Sequence, residues 1–361
     1  MRNWLINTIW VVVFVLISSN ILSQQTDSVL VTSNQELKPM AFDTNYIDSY
    51  ADIFALRFIL TNKKNEFSIL EKESGRTVDY SPNSQLNIGA GFSYKWMNVN
   101  LSVAFPGSNK DNDVFGNTRR FDLQTNLYSR KFVVDLVFQW YRGFYVLNPT
   151  LINPGWQPGD PYPIRDDIKS FAMGFTGNYV FNNKKFSYQA AFTFNERQKK
   201  SAGSFTVGGG WLMFNLKSDT GLVPSALFPD SITPINFSKI TLNTIYGMGG
   251  YAHTFIIRKW YFTLALGLGS GISTSSSKTT ADIKSKNKPS FSIVSDFRGS
   301  VGYNSELFYV GLSWFTGAFA VNSTKDILVT YSLSRLNFYV GYRFYNLFQD
   351  KHGMVRPKKM F

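Results

Sequence analysis

The sequence predicts an all-β fold: a transmembrane antiparallel β-barrel of about 12 strands (range 10–14), with short periplasmic turns and longer extracellular loops. Three observations carry that expectation. Beyond residue 50, apolar and polar residues alternate with a period of two, segment after segment, with almost no helical periodicity. The segments are often ten to fourteen residues long, whereas soluble strands run to about 5–6 residues and a tilted spanning strand needs about 9–11. Their polar faces carry Gly, Ser, Asn and Gln rather than a solvated Lys/Glu mix, and Trp and Tyr recur near segment ends, as at Tyr94 and Trp96, Trp140 and Tyr141, and Trp260 and Tyr261. A soluble sandwich would bury the apolar face against a second sheet; a spanning barrel turns it to lipid.

From the N-terminus, Met1-Arg2-Asn3 gives a positive start and 4–17 (WLINTIWVVVFVLI) an apolar run of signal-peptide length, too short to span comfortably as a helix. Small and polar residues 18–23 follow, so 1–23 is expected to be a signal peptide cleaved after Ser23. Residues 24–50 are polar and aperiodic, a periplasmic lead-in to a barrel over 51–346. The segments 52–61 and 66–72 form either a hairpin or one strand. In 131–142, Phe132, Val134, Leu136, Phe138 and Trp140 share one face; in 119–129, Phe121, Leu123 and Leu127 oppose Arg120, Asp122, Gln124 and Asn126. The segment 185–197 alternates equally well (Phe186, Tyr188, Ala190, Phe192, Phe194), as does 260–269 (Phe262, Leu264, Leu266, Leu268). Further strands are expected at 84–96, 98–105, 168–181, 203–216, 239–255, 290–303, 307–319 and 327–345.

Short connections at 97–98, 129–130, 182–184, 257–259 and 304–305 read as periplasmic turns, and 106–118, 143–167, 273–289 and 321–326 as surface loops. Parity fails once, because 217–238 is long where a short turn is due. Near Ser334-Arg335 the apolar phase slips from odd to even positions, which predicts a β-bulge. Residues 347–361 form a basic tail that separates Phe361 from the last strand.

Composition bounds the chemistry. The 361 residues include 33 Phe, 19 Tyr and 8 Trp, too much ring surface for a disordered chain. With no Cys and two His, disulfide scaffolds, thiol nucleophiles, Cys-ligated metals and imidazole-rich metal sites are excluded, and no cofactor is expected. The formal charge of +13 comes without a nucleic-acid-binding motif. Basic loop residues such as Lys278, Lys284, Lys286 and Lys288 could instead meet lipopolysaccharide phosphates.

The blocks YIDSYADIFALRFIL from Tyr46, Tyr80-Ser81-Pro82-Asn83, LNIGAGFSYKW from Leu86, Phe121-Asp122-Leu123-Gln124, Tyr141-Arg142-Gly143-Phe144-Tyr145 and ERQKKSAGS from Glu196 occur in this order. Together they resemble an uncharacterised family of exported proteins of Bacteroidota-type Gram-negative bacteria, labelled only as a domain of unknown function. The resemblance implies an outer-membrane β-barrel and no particular activity. The partners expected of such a chain are outer-membrane lipid, with lipopolysaccharide a candidate, and the barrel-assembly machinery; nothing points to a symmetric interface, and a monomer suffices.

Two constellations are candidates for function. The first is a polar-face network of Arg57, Arg120, Asp122, Asp135, Arg197, Asp296, Arg298 and Arg343, which in a narrow barrel must pair Arg with Asp and either fills the lumen or lines a pore. The second is His253 with Ser201 and Ser204, the one arrangement that could serve a lipid-modifying hydrolase, although no Gly-x-Ser-x-Gly elbow is present. Gly208–Gly210 and 247–250 precede no helix, so they relieve strand curvature rather than cradle phosphate. The leading expectation is a non-enzymatic outer-membrane barrel, a narrow channel or a structural envelope protein. A phospholipase-like enzyme and a secreted soluble β-protein are the alternatives.

Overall fold

The computed structural model describes residues 42–95, 97–105, 111–223, 237–324 and 326–345. The expected signal peptide, most of the lead-in and the basic tail lie outside them. In chain order the elements are β1 (Ile47–Ser49), β2 (Phe54–Glu71), β3 (Thr77–Ser81), β4 (Leu86–Tyr94), β5 (Met97–Ala104), α1 (Asn112–Phe115), β6 (Arg119–Tyr128), β7 (Phe132–Val146), a 3-10 turn (Pro149–Leu151), β8 (Ile164–Val180), α2 (Tyr188–Phe192) and β9 (Glu196–Gln198). They continue with β10 (Ala202–Lys217), β11 (Phe237–Ile257), β12 (Trp260–Thr279), β13 (Lys284–Lys286), β14 (Ser290–Asn304), β15 (Phe308–Asn322) and β16 (Ile327–Phe344).

Ten antiparallel strands close a ring in the order β2, β3, β7, β8, β10, β11, β12, β14, β15, β16 and back to β2. The closing seam zips β16 to β2 without interruption, from Ile327 opposite Glu71 to Phe344 opposite Phe54. This is a closed antiparallel barrel, but the ring has ten strands rather than about 12. The difference lies in β4, β5 and β6. β4 takes over from β3 beside the first half of β2, β5 pairs with β4, and β6 pairs with β7. Beyond them β3 pairs directly with β7, through Tyr80 opposite Val146 and Ser81 opposite Tyr145, and closes the ring. Below, the end holding the start of β2 and the finish of β16 is called the terminal end, and the opposite one the distal end.

The parity failure is resolved by 185–197, which is not a wall strand. After β8 the chain turns inward, forms α2 under a Ser187 cap that accepts from the Ala190 N–H at 3.0 Å, and pairs β9 with β1 as a separate two-stranded sheet. Phe186, Tyr188, Ala190, Ala191 and Phe194 are all buried. Their alternation satisfied a strand pattern, but the other positions include Ser187, Asn195 and Glu196, which are buried as well. A segment enclosed on every side cannot sort its residues into lipid-facing and lumen-facing sets. With it removed from the count, β10 starts at the terminal end and 218–236 is a distal connection, as its length requires. The lead-in likewise ends in order, since β1 falls within 24–50.

Smaller corrections follow the same logic. β2 is one strand of 18 residues. β4 and β5 meet through Tyr94 opposite Met97, two residues before the expected turn. The serine-rich start of 273–289 extends β12 to Thr279 and precedes β13.

No bulge occurs at Ser334-Arg335: β16 keeps register with both neighbours through these residues. The odd positions of β16 face inward throughout. Ile327, Val329, Tyr331 and Leu333 are buried in an apolar core, and the inward Asn337 and Arg343 are buried among polar groups. The even positions face outward, polar at Thr330, Ser332 and Ser334, then apolar and exposed at Leu336, Phe338, Val340 and Tyr342. What slips is which side of the wall is apolar. A true irregularity sits in β7 between Arg142 and Phe144, where Gly143 adopts φ +90° and lets Phe144 and Val146 turn inward.

The same exchange runs around the ring. In the distal half the barrel is filled by Phe67, Tyr80, Phe144, Phe214, Leu242 and Val321, among others; its outer face is largely polar on β2 and β16, whereas β12 and β14 keep Ile272, Phe291 and Ile293 exposed there. In the terminal half the outer face carries the exposed Phe58, Phe138, Phe205, Ile257, Leu268 and Val340, and the inner face mixes polar and charged groups with two apolar clusters packed on the inserted segment, one around Tyr188 and one around Phe194.

Candidate functional site

The terminal half of the interior gathers seven of the eight expected charged residues on the wall and the eighth, Arg197, on the inserted segment. Arg298 is the centre. Its guanidinium meets Asp135 at 2.5 and 3.2 Å and Asp296 at 2.6 and 3.0 Å, and also donates to the Tyr128 hydroxyl. The side chain is 4% exposed, so the two carboxylates replace water that it has lost.

Asp122 has a different partner from the arginine that pairing rules suggest. It is bound by Lys63 at 3.4 Å and accepts from Gln139 at 2.8 Å and from the Tyr141 hydroxyl at 2.5 Å. Gln139 in turn accepts from the Tyr331 hydroxyl at 2.6 Å and from Asn65 at 3.2 Å, which joins the polar network to the floor of the apolar core.

Arg57 and Arg343 hold no carboxylate among the described residues; they hold the inserted segment. Arg57 donates to the Thr193 carbonyl at 3.0 Å, and Arg343 to the Phe194 carbonyl at 2.6 Å and the Ser305 carbonyl at 2.5 Å. The Thr193 and Phe194 carbonyls follow the end of α2, where backbone acceptors lack helical partners and attract cations. Ser300 and Asn304 add bonds to the Ala191 and Glu196 carbonyls. Phe194 itself sits at φ +61°, stacked on Tyr309 at 4.4 Å. The wall thus grips the segment by its backbone, and the segment occupies the terminal end, leaving a cavity of about 570 Å³ between Arg197 and Gln198 on its side and Thr254, Tyr261 and Asn304 on the wall. Arg120 bonds the Gln85 carbonyl and the Asn87 amide oxygen, again without a carboxylate.

Within the segment, Arg197 pairs with Asp48 at 2.7 Å and Arg130 reaches Glu196 at 2.6 Å. Burial raises the Glu196 pKa despite the opposing pull of Arg130 and the Ser187 hydroxyl. Burial also pushes the Tyr50 hydroxyl up to about 12, with Arg197 and Arg343 opposing.

Lys63, Gln139, Arg335, and the distal pair Arg165–Asp167 at 2.8 Å escaped the sequence reading. Lys63 and Arg335 could have been found: each interrupts an otherwise regular strand on the face that continues the inner set. Arg335 crosses the interior from β16 to the Gln124 carbonyl and the Asn126 side chain on β6, and its Nε is buried without a partner.

The hydrolase constellation does not assemble. His253 is on the outer face, hydrogen-bonded to the Tyr251 hydroxyl at 3.1 Å and stacked near Phe255. Ser201 accepts from the Ile256 N–H, and Ser204 is buried and bonded to backbone at 182 and 205. Among the described residues no cluster of His, Asp and Glu is suited to a metal ion.

A family model described as a domain of unknown function, DUF4421, matches residues 41–344. The chain belongs to the DUF4421 family. The DUF4421 match spans every strand from β1 to β16, the inserted segment included. No curated protein matches the chain. Among solved structures, the outer-membrane protease OmpT of Escherichia coli is 11% identical with a TM-score of 0.36, over 82% of this chain and 98% of that one. The toluene transporter TodX of P. putida is 11% identical with a TM-score of 0.24, over 81% and 90%. The translocator domain of the autotransporter NalP from Neisseria meningitidis is 9% identical with a TM-score of 0.30, over 80% and 88%.

Proposed function

We propose that this DUF4421 chain is a non-enzymatic outer-membrane β-barrel with a closed bore, a structural or lipid-contacting envelope protein rather than a through-channel. The observation that carries the reading is the exchange of apolar faces half-way along the wall. On β16 the outward apolar set runs from Leu336 to Phe344, nine residues and close to the ~9–11 a tilted strand needs to cross hydrocarbon. Distal to it Thr330, Ser332 and Ser334 face outward and the core is inside, the arrangement of a barrel standing in water. A periplasmic terminal end follows from the short turns there, and export through the N-terminal signal segment fits the same location. Lys278 at the end of β12, Lys284 and Lys286 of β13 and Lys288 after it would then face lipopolysaccharide phosphates.

The bore is closed twice. The distal half is packed with side chains such as Phe214 stacked on Tyr331 at 4.1 Å, and Leu222 enters the distal mouth, where its carbonyl accepts from Tyr80 at 2.5 Å. The terminal half is closed by the inserted segment. The test is recording from the purified, heat-modifiable protein in planar bilayers. Silence together with outer-membrane fractionation supports the reading; steady single-channel currents would replace it with a channel, and soluble recovery without a gel shift would remove the membrane altogether.

A further inference from the structure

The wall is zipped by backbone pairing around the whole ring except in the terminal half between β5 and β6. Among the described residues no backbone pair joins these two strands, although each is fully paired on its other side. Both lie within the apolar belt: Leu101 is 74% and Val103 70% exposed on β5, and Phe121 and Leu127 are each 55% exposed on β6. Two unpaired strand edges cannot face hydrocarbon, because each unmet N–H or C=O there costs several kcal/mol; such edges persist only where they line a wet or occupied cavity.

A cavity of about 160 Å³ lies behind the gap and is lined from both strands. The inward Asn100 and Ser102 of β5 are exposed, whereas Arg57, Ile59 and Thr61 at the same levels of β2 are buried. The lining holds Lys63, Arg298 and Arg335 and no carboxylate. Arg298 is neutralised by its two aspartates, and Lys63 shares Asp122 with three further donors, Gln124, Gln139 and Tyr141. Arg335 has no ion-pair partner among the described residues. Lys63 and Arg335 face each other across the β2–β16 pair where the outer face changes from Leu60 and Leu336 to Asn62 and Ser334, which is the headgroup level of the proposed bilayer.

We propose that the β5–β6 gap is a lateral portal, and that it admits a membrane amphiphile whose anionic headgroup binds Arg335 and Lys63 while its chain stays against the apolar edges of the gap. A cationic, hydrogen-bonding cavity open sideways to lipid fits that occupant better than a water-borne anion, because the bore is closed at both ends. The inference rests on the membrane reading above.

The experiment uses the full exported chain, delipidated in detergent and followed by native mass spectrometry as phosphatidylglycerol or phosphatidylcholine is added. One phosphatidylglycerol should be retained at least ten-fold more strongly than phosphatidylcholine. Arg335→Gln should erase the preference, and Asn100→Trp, which fills the gap and leaves the cations in place, should abolish retention. Both variants must keep the heat-dependent gel shift of the wild type, which shows an intact barrel. Equal retention of the two lipids, or an unchanged preference in either shifted variant, overturns the portal. Displacement of phosphatidylglycerol by millimolar inorganic phosphate alone also overturns it, since the site would then read a water-borne anion. Loss of outer-membrane fractionation in the wild type would instead overturn the membrane reading beneath it.

Discussion

The distal and terminal halves of this barrel share nine of their strands, β3 completing the first and β4, β5 and β6 the second, yet on strands such as β16 they follow opposite solubility rules. In the distal half of β16 Ile327, Val329, Tyr331 and Leu333 point inward and are buried, and their outward neighbours past Leu328 are the polar Thr330, Ser332 and Ser334. One turn of register later, on the same unbroken strand, the outward residues are Leu336, Phe338 and Val340, and the inward ones are Arg335, Asn337 and Arg343. Backbone pairing along β16 itself does not distinguish the halves, since its register with β15 and β2 is unbroken. In the proposed membrane reading the solvent outside the wall does: water permits a polar exterior and requires an apolar core, and lipid reverses both.

Single substitutions on β16 and its neighbours separate the two rules, with urea midpoints of the heat-modifiable band in lipid vesicles as the common measurement. Val329→Asp buries an unpaired charge in the distal core and is expected to cost about 4 kcal/mol or more. Asp135→Ala removes one of two carboxylates from a buried guanidinium and should cost about 3 kcal/mol; an effect below about 1 kcal/mol would mean that water reaches Arg298. Val340→Lys places a charge on the belt and should cost about 2 kcal/mol in vesicles, with a much smaller effect in a detergent of short chain. Thr330→Lys, also outward but distal, should stay within about 0.5 kcal/mol. A Thr330→Lys cost matching that of Val340→Lys would erase the distinction between the halves. Deleting 186–198 asks the same question of the bore: the distal core should still hold the protein silent in planar bilayers, and steady currents would show that the inserted segment alone was the barrier.

The barrel was legible because alternation survives in both halves, and wall strands such as 131–142 and 260–269 sort their residues cleanly. The two-solvent design was visible only as an anomaly. The phase slip at Ser334-Arg335 was real, but a bulge and an exchange of environment give the same pattern in one strand, and only the partner register separates them. The segment 185–197 misled for a different reason: with Phe186 and Phe194 buried inside the barrel, its alternation records packing on all sides rather than a wall. Of the charged network, the residues themselves were legible and most of their partners were not. Arg57 and Arg343 bind carbonyls of that same misread segment, and Asp122 is met by Lys63, pairings that depend on which strands face each other across the bore. The β5–β6 gap left no trace in the sequence, since each strand alternates as a paired strand does.

The most direct test of the two-solvent account uses the absence of native cysteine. Single cysteines at Thr330 and Val340, both outward on β16, are exposed to a membrane-impermeant maleimide with the protein inserted in lipid vesicles. The account predicts rapid labelling at 330 and protection at 340, with protection lost when the vesicles are dissolved in detergent and the barrel kept folded. Equal labelling of the two positions in vesicles would contradict it.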